Sequence, residues 1–319
     1  VRVLVTGAGG FVGRAVVPRL AAGGHAVRAA ARRGGPPPET GRWCEGSVEV
    51  GDIGPGTDWA RALDGVDAVV HLAARVHRVR DAATDPLAEY RRVNAAGTRR
   101  LAEAAARAGV RRLVLLSSVK AVADGPSEAP LDDATPPAPA SPYGVSKLEA
   151  EEGLAEVSAA TGLEAVVLRP PLVYGPGVGA NFLGLLRACA RGLPLPLGAV
   201  RNRRSLVFVG NLADAVALCL EHPAAAGRRF LLHDGPPVST PDLVRAVAAA
   251  LGRPARLLPV PPPLLAAGAA LLGRRGAAER LAGSLFLDDR GIRETLGWRP
   301  PHAMQDGLRA TADWYMTSV

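Results

Sequence analysis

Lysine is nearly absent from this chain of 319 residues: it stands only at Lys120 and Lys147, and the other 36 of its 38 basic residues are arginine. A chain so biased drifts to arginine wherever any cation serves. The two survivors point to sites that need a compact ammonium and not a planar fork. Aromatic residues are scarce at 4%, so the core must be built from Ala, Val and Leu. The three cysteines, Cys44, Cys189 and Cys219, lack paired spacing. They read as free thiols in a reducing compartment, and a cytoplasmic location is expected. The six histidines are scattered, so no metal is expected. The chain opens on a strand, with no signal-peptide pattern. The most apolar late stretch, LLAAGAALLG at 264–273, falls well short of the ~20 residues that span a bilayer. It reads as a core helix, with a membrane-touching helix ahead of Arg274 and Arg275 as a lesser alternative. The net charge is +8, but the arginines come as scattered pairs such as Arg91-Arg92 and Arg111-Arg112. That describes a solvated surface better than a nucleic-acid site, and also suits a phosphate-bearing small substrate.

What is present is a hydrophobic content of 48% and a regular alternation of short apolar runs with amphipathic ones. VRVLVTGAGGFVGRAV reads as strand, glycine turn and helix. Gly7 permits a tight turn, Gly10 admits a pyrophosphate close to the backbone, and Gly13 lets the helix pack near the strand. Further strands follow: HAVRAAARR, ending at Arg32 and Arg33; VEVGDI, ending at Asp52 and Ile53; DAVVHLAAR, passing His71, Ala73 and Ala74; and RRLVLLSSVKA, emerging at Ser117 and Ser118. A long helix over 85–110 carries Asn94. Alternating β and α units predict a Rossmann-type, doubly wound parallel α/β sheet with ligand at the carboxyl ends of its strands. An acid ending the second strand would bind a ribose hydroxyl and favour NAD. Arginine there accommodates a 2′-phosphate and tilts toward NADP.

SPYGVSKLEAE begins another helix at residue 141. Tyr143 and Lys147 are four apart and share a face. A nearby ammonium favours phenolate, so Lys147 is expected to lower the Tyr143 pKa and ready it for proton transfer. Ser118 would hold the reacting oxygen. These residues explain the first retained lysine.

With TGAGGFVG at 6–13, HLAA at 71–74, VNAAGT around Asn94, YGVSK at 143–147 and LRPPLVYGPG at 168–177, the chain resembles the extended short-chain dehydrogenase/reductases of the nucleotide-sugar epimerase/dehydratase family. NFLGLL at 181–186 and RRSLVFVGNLADAV at 203–216 extend the likeness over nearly the whole length. The resemblance implies an NAD- or NADP-binding domain at 1–170 plus 205–227 and a smaller interleaved substrate domain at 171–204 plus 228–319. It implies cofactor contacts from Gly7, Gly10, Phe11, Val12, Gly13, Asp52, Ile53, Leu72, Ala73, Ala74, Asn94, Ser117, Tyr143, Lys147 and Pro170. It implies Asn181 and Arg204 on the diphosphate of a nucleoside diphosphate sugar, and a homodimer through the helices near 85–108 and 142–160.

The family's 4,6-dehydratases carry an Asp-Glu pair directly after the active-site serine or threonine. Here Val119, Lys120 and Ala121 follow Ser118, which disfavours dehydration. Two reactions at C4 remain: 4-epimerisation of a UDP-hexose, and reduction of a 4-keto-6-deoxy sugar with NAD(P)H as in surface-polysaccharide biosynthesis. Lys120 and Ser205 depart from the usual epimerase pattern, and Lys120 is expected to reach the substrate. A non-catalytic dinucleotide-binding sensor or assembly subunit is a remote alternative, since Tyr143 and Lys147 are both kept.

Overall fold

The computed structural model describes residues 1–76, 85–271 and 282–318. Short runs of Val, Leu and Ala form β1 (Arg2–Thr6), β2 (Ala26–Ala31), β4 (Ala68–His71), β5 (Arg112–Leu116) and β6 (Glu164–Arg169), and the largely exposed β3 (Gly46–Glu49) lies beside β2. Two three-residue strands, β7 (Leu172–Tyr174) and β8 (Leu206–Phe208), make a separate parallel pair. β9 (Arg229–Leu231) completes a seven-stranded parallel sheet of order β3-β2-β1-β4-β5-β6-β9. The order reverses between β1 and β4, which places a crevice at their carboxyl ends.

Both faces of the sheet inward of its edge strand β3 are covered, which is why the inner strands read as continuous apolar runs. Side chains alternate: Val3, Val5 and Val114 enter one core, and Leu4, Leu113 and Leu115 the other. On the first face lie α1 (Gly13–Ala22) and, later in the chain, the helix Val209–Glu221. Two one-turn helices follow α1, α2 (Pro38–Gly41) and α3 (Ala60–Leu63). The second face takes α3, α5 (Gly97–Arg107) and α6 (Pro142–Thr161), with α4 (Pro86–Tyr90) packed on α6. The expected single helix over 85–110 is interrupted: Arg91–Ala96 forms a π turn between α4 and α5.

The smaller unit is built by α7 (Ala180–Ala190), β7, β8, α9 (Thr240–Ala250) and the terminal helix Met304–Ser318, with α8 (Val209–Glu221) left to the large sheet. Its core holds Tyr174, Phe182, Leu186, Val244, Val247 and Leu308. The sequence assigns all of 228–319 to this unit. Instead β9 pairs with β6, and Ile292 and Trp298 pack into the large-sheet core. The arginine pair at 228–229 disguised a three-residue strand as surface.

α10 (Pro262–Leu271) is also not the core helix expected. Leu264 is 64% exposed, and Leu265 packs partly against the smaller core. Its apolar residues surround the helix, so one neighbour covers only one side. The end of the apolar stretch, with Arg274 and Arg275, lies outside the described residues. Among the described residues no helix is long and apolar enough to cross a membrane.

Candidate active site

The glycine turn after β1 is dictated by backbone geometry. Gly7 sits at φ 69°, and a Cβ there would lie 2.8 Å from the Ala73 amide nitrogen. A Cβ on Gly13 would lie 2.3 Å from the Gly7 carbonyl oxygen. Gly10 differs, for its Cβ would meet only the Gly7 oxygen, at 3.2 Å. The protein's own packing demands glycine weakly there, which leaves a shallow cradle over the turn. The amides of Phe11 and Val12 have no backbone acceptor among the described residues. Free N–H groups at the start of α1 are the donors that hold phosphate oxygens. The residues present thus fit a dinucleotide diphosphate.

Across the crevice, the end of β4 is set by a small polar network. Thr6 Oγ1 lies 2.7 Å from His71 Nδ1 and accepts from the Ala73 amide at 3.1 Å. Burial, aided by the Lys147 charge, pushes His71 down to about 3, so it stays neutral. Leu72 packs against the first core, and Ala73 and Ala74 are half-buried at the edge. Asn94, expected as a cofactor contact, is spent on the protein. Its Nδ2 donates to the Arg75 carbonyl (3.1 Å) and Ser146 Oγ (3.0 Å), and its Oδ1 accepts from the Arg75 amide (2.8 Å). The π turn brings it there, as such insertions often do at functional sites. Ser146 Oγ in turn donates to the Tyr143 carbonyl, so Asn94 ties the β4 edge to α6.

β2 and β3 end beside one another. Arg32 and Asp52 form an exposed ion pair at 3.2 Å, with Arg33 exposed alongside. Ile53 packs into the second core against Gly97, where a Cβ would come within 2.7 Å.

The chemistry sits where β5 gives way to α6. Ser141 caps α6 by accepting from the Gly144 amide at 3.1 Å, Pro142 follows in the first turn, and Gly162 closes the helix in the left-handed region at φ 78°. Tyr143 is half-buried, its ring 6.0 Å from that of Tyr90 in an edge contact. Ser118 Oγ accepts from the Lys120 amide at 3.2 Å. The structure corrects the expected lowering of the Tyr143 pKa. Burial is the dominant cause and pushes the phenol up to about 12, although hydrogen bonding to Ser118 pulls the other way. Tyr90 and Asp124 add to the rise. The Lys147 ammonium donates instead to the Leu116 carbonyl at 2.7 Å. Burial pushes Lys147 down to about 8, opposed by Glu151 one helical turn further on.

Glu151 was missed by sequence reasoning. It is 1% exposed, accepts from Ser117 Oγ, and is clasped by Arg169 at 2.6–3.2 Å. A buried acid–arginine pair thus underlies Ser117 and Lys147. Pro170, next along, is buried and accepts from the Val119 amide at 2.9 Å. Gly144 was missed too. A Cβ there would lie 2.4 Å from the Lys120 carbonyl oxygen and 2.7 Å from Asp124 Oδ2. Gly144→Ala should therefore lift the start of α6, costing about 1–3 kcal/mol of stability and lowering activity more than stability alone explains. Urea unfolding and steady-state rates on one preparation check this.

Of the expected substrate residues, Asn181 and Arg204 lie on the segments around α7 and β8, and Lys120 on the turn after β5. Asn181 is exposed at the start of α7, beside Ala180 at φ 49°. Arg204 is half-buried on a segment that bridges Val238 and Leu285, while Arg203 stacks on Phe286 at 4.0 Å. Lys120 pairs with Asp124 at 3.6 Å. Among the described residues no group of three or more His, Cys, Asp or Glu could hold a metal.

Comparison with known proteins agrees with the fold. Residues 3–232 match the NAD dependent epimerase/dehydratase family. The chain is 40% identical to a UDP-glucose 4-epimerase of Vibrio cholerae over 98% of its length and 95% of the relative's. The UDP-glucose 4-epimerase of Thermus thermophilus in complex with NAD superposes with a TM-score of 0.79 at 29% identity, covering 100% of both chains. MoeE5 in complex with UDP-glucuronic acid and NAD superposes at 0.80, also with 29% identity and 100% of both chains. By the family match over most of its length and the 40% identity over nearly all of it, the chain belongs to the NAD-dependent epimerase/dehydratase family of extended short-chain dehydrogenase/reductases.

Proposed function

We propose that this protein is a nucleotide-sugar 4-epimerase of the UDP-hexose type. The observation that carries the reading is the placement of Tyr143 and Lys147 on one face of α6 beside Ser118, at the sheet edge that also presents the glycine turn. A bound nicotinamide dinucleotide supplies the acceptor and donor for the C4 hydride. Gly7–Gly13 and the free amides at the start of α1 hold its diphosphate. Ser118 Oγ holds the C4 oxygen. Tyr143 takes the hydroxyl proton during oxidation and returns it during reduction. Lys147 keeps a positive charge under the site and orients the ribose. Asn181 and Arg204 hold the substrate diphosphate, for which a guanidinium fork is suited. A homodimer through the outer faces of α4–α6 fits their side-by-side packing. Three free thiols fit the cytoplasm.

A second reading, C4-ketoreductase with NADPH, is favoured by one observation: the end of β2 offers Arg32 and Arg33 where an acid would meet a ribose hydroxyl. One experiment separates the two. Purified protein is denatured and its dinucleotide identified by mass and absorbance, and native protein is then given UDP-galactose without added cofactor. Retained NAD and appearance of UDP-glucose establish the epimerase. An empty preparation that is inert toward UDP-galactose and oxidises NADPH with a 4-keto nucleotide sugar establishes the reductase.

A further inference from the structure

Lys120, the second retained lysine, is not accounted for by the proposed chemistry. It lies in the turn directly after Ser118, and its ammonium is 3.6 Å from Asp124 Oδ1. The pair is half-buried, with side-chain exposures of 31% and 12%. Asp124 is no ordinary loop acid. Its Oδ2 accepts from the amides of Ala140 (2.9 Å) and Ser141 (2.7 Å), and its Oδ1 accepts from Ser141 Oγ at 2.8 Å. Ser141 is the residue whose hydroxyl caps α6. Asp124 Oδ2 and the Lys120 carbonyl are also the atoms that exclude a side chain at Gly144. One carboxylate therefore joins the turn carrying Ser118 to the helix end carrying Tyr143, and Lys120 is the cation on that carboxylate.

We propose that Lys120 is a positioning residue: through Asp124 it braces the N-terminus of α6 and sets the net charge that the Tyr143 hydroxyl faces. This rests on Tyr143 being the acid/base. The Asp124 carboxylate makes the Tyr143 proton harder to remove, and Lys120 offsets that carboxylate. The other polar and charged groups around Tyr143 are Ser118, Tyr90 with Arg75 over its ring, and Lys147 on the same helix. None of these residues is itself replaced in the variants at 120 and 124.

The two partners should act in opposite directions, which simple damage to the loop would not produce. Reduction of bound dinucleotide by a nucleotide sugar is followed in a single turnover from about pH 6 to about pH 10, where the rate should climb with pH throughout because the phenol lies higher still, at about 12. Lys120→Gln should move the rising limb to higher pH, slowing the reaction about threefold at fixed pH. Asp124→Asn should move it to lower pH. Lys120→Arg should keep it in place. If Lys120→Gln leaves the limb unmoved and weakens nucleotide-sugar binding instead, Lys120 is a substrate contact and the brace is overturned. If both variants move the limb the same way, loop disruption is the cause and the brace is likewise overturned. Tyr143→Phe is the control: a limb that survives it overturns the acid/base reading and the brace together, whereas the other failures touch the brace alone.

Discussion

Replacing Tyr143 by Phe should lower turnover by about 10²–10⁴-fold while the protein stays folded, the usual worth of a positioned acid/base. The ring and its edge contact with Tyr90 remain, and only the hydroxyl near Ser118 is lost. The pH dependence carries a sign that tests the assignment further. The surrounding protein pushes the phenol up to about 12, so the phenolate is scarce at neutral pH. The oxidising half-reaction, which needs that base, should speed up as pH rises, and the Phe variant should lose the dependence. Lys147 is not among the groups that move the phenol, and its ammonium is held on the Leu116 carbonyl. Lys147→Met should lower the rate without changing the direction of that pH dependence, and Lys147→Arg should not restore the wild type, since a fork does not fit the space of one ammonium. A loss below about tenfold in Tyr143→Phe would remove Tyr143 from the proton transfer.

The sheet and the glycine turn were legible because each follows from one local rule. Buried strands must be apolar on both sides, and only glycine fits φ 69° against Ala73. Ser118, Tyr143 and Lys147 were legible because strand end and helix period bring them together. What stayed hidden depends on partners distant in sequence. The π turn leaves the apolar periodicity of 85–110 almost unchanged, so nothing announced that Asn94 would turn inward onto Arg75 and Ser146. The Arg32–Asp52 pair joins the ends of two strands whose pairing is settled only by the sheet. Glu151, in a run of Glu149, Glu151 and Glu152, looked like a solvated face. Its burial follows from Arg169, on the neighbouring strand β6.

That buried pair yields the largest expected effect on stability. Arg169 and Glu151 are 2% and 1% exposed, with their closest approach at 2.6 Å. Removing one partner leaves the other charged and unpaired in the core, which costs about 3–5 kcal/mol. Arg169→Met should therefore lower the melting temperature by about 10 °C. Replacing both, as Glu151→Leu with Arg169→Met, should recover most of that loss, because an apolar pair of similar volume carries no desolvation cost. Activity should part company with stability in the double variant. Ser117 loses its acceptor and Lys147 loses the carboxylate that favours its charged form, so burial should push Lys147 below its present value of about 8. Recovered stability with a rate still reduced about tenfold or more, a deficit that shrinks at lower pH as Lys147 is protonated, would assign the pair to holding Lys147 charged. Equal recovery of both would make it a core contact alone, and a loss under about 1 kcal/mol in Arg169→Met would contradict the burial on which the argument stands.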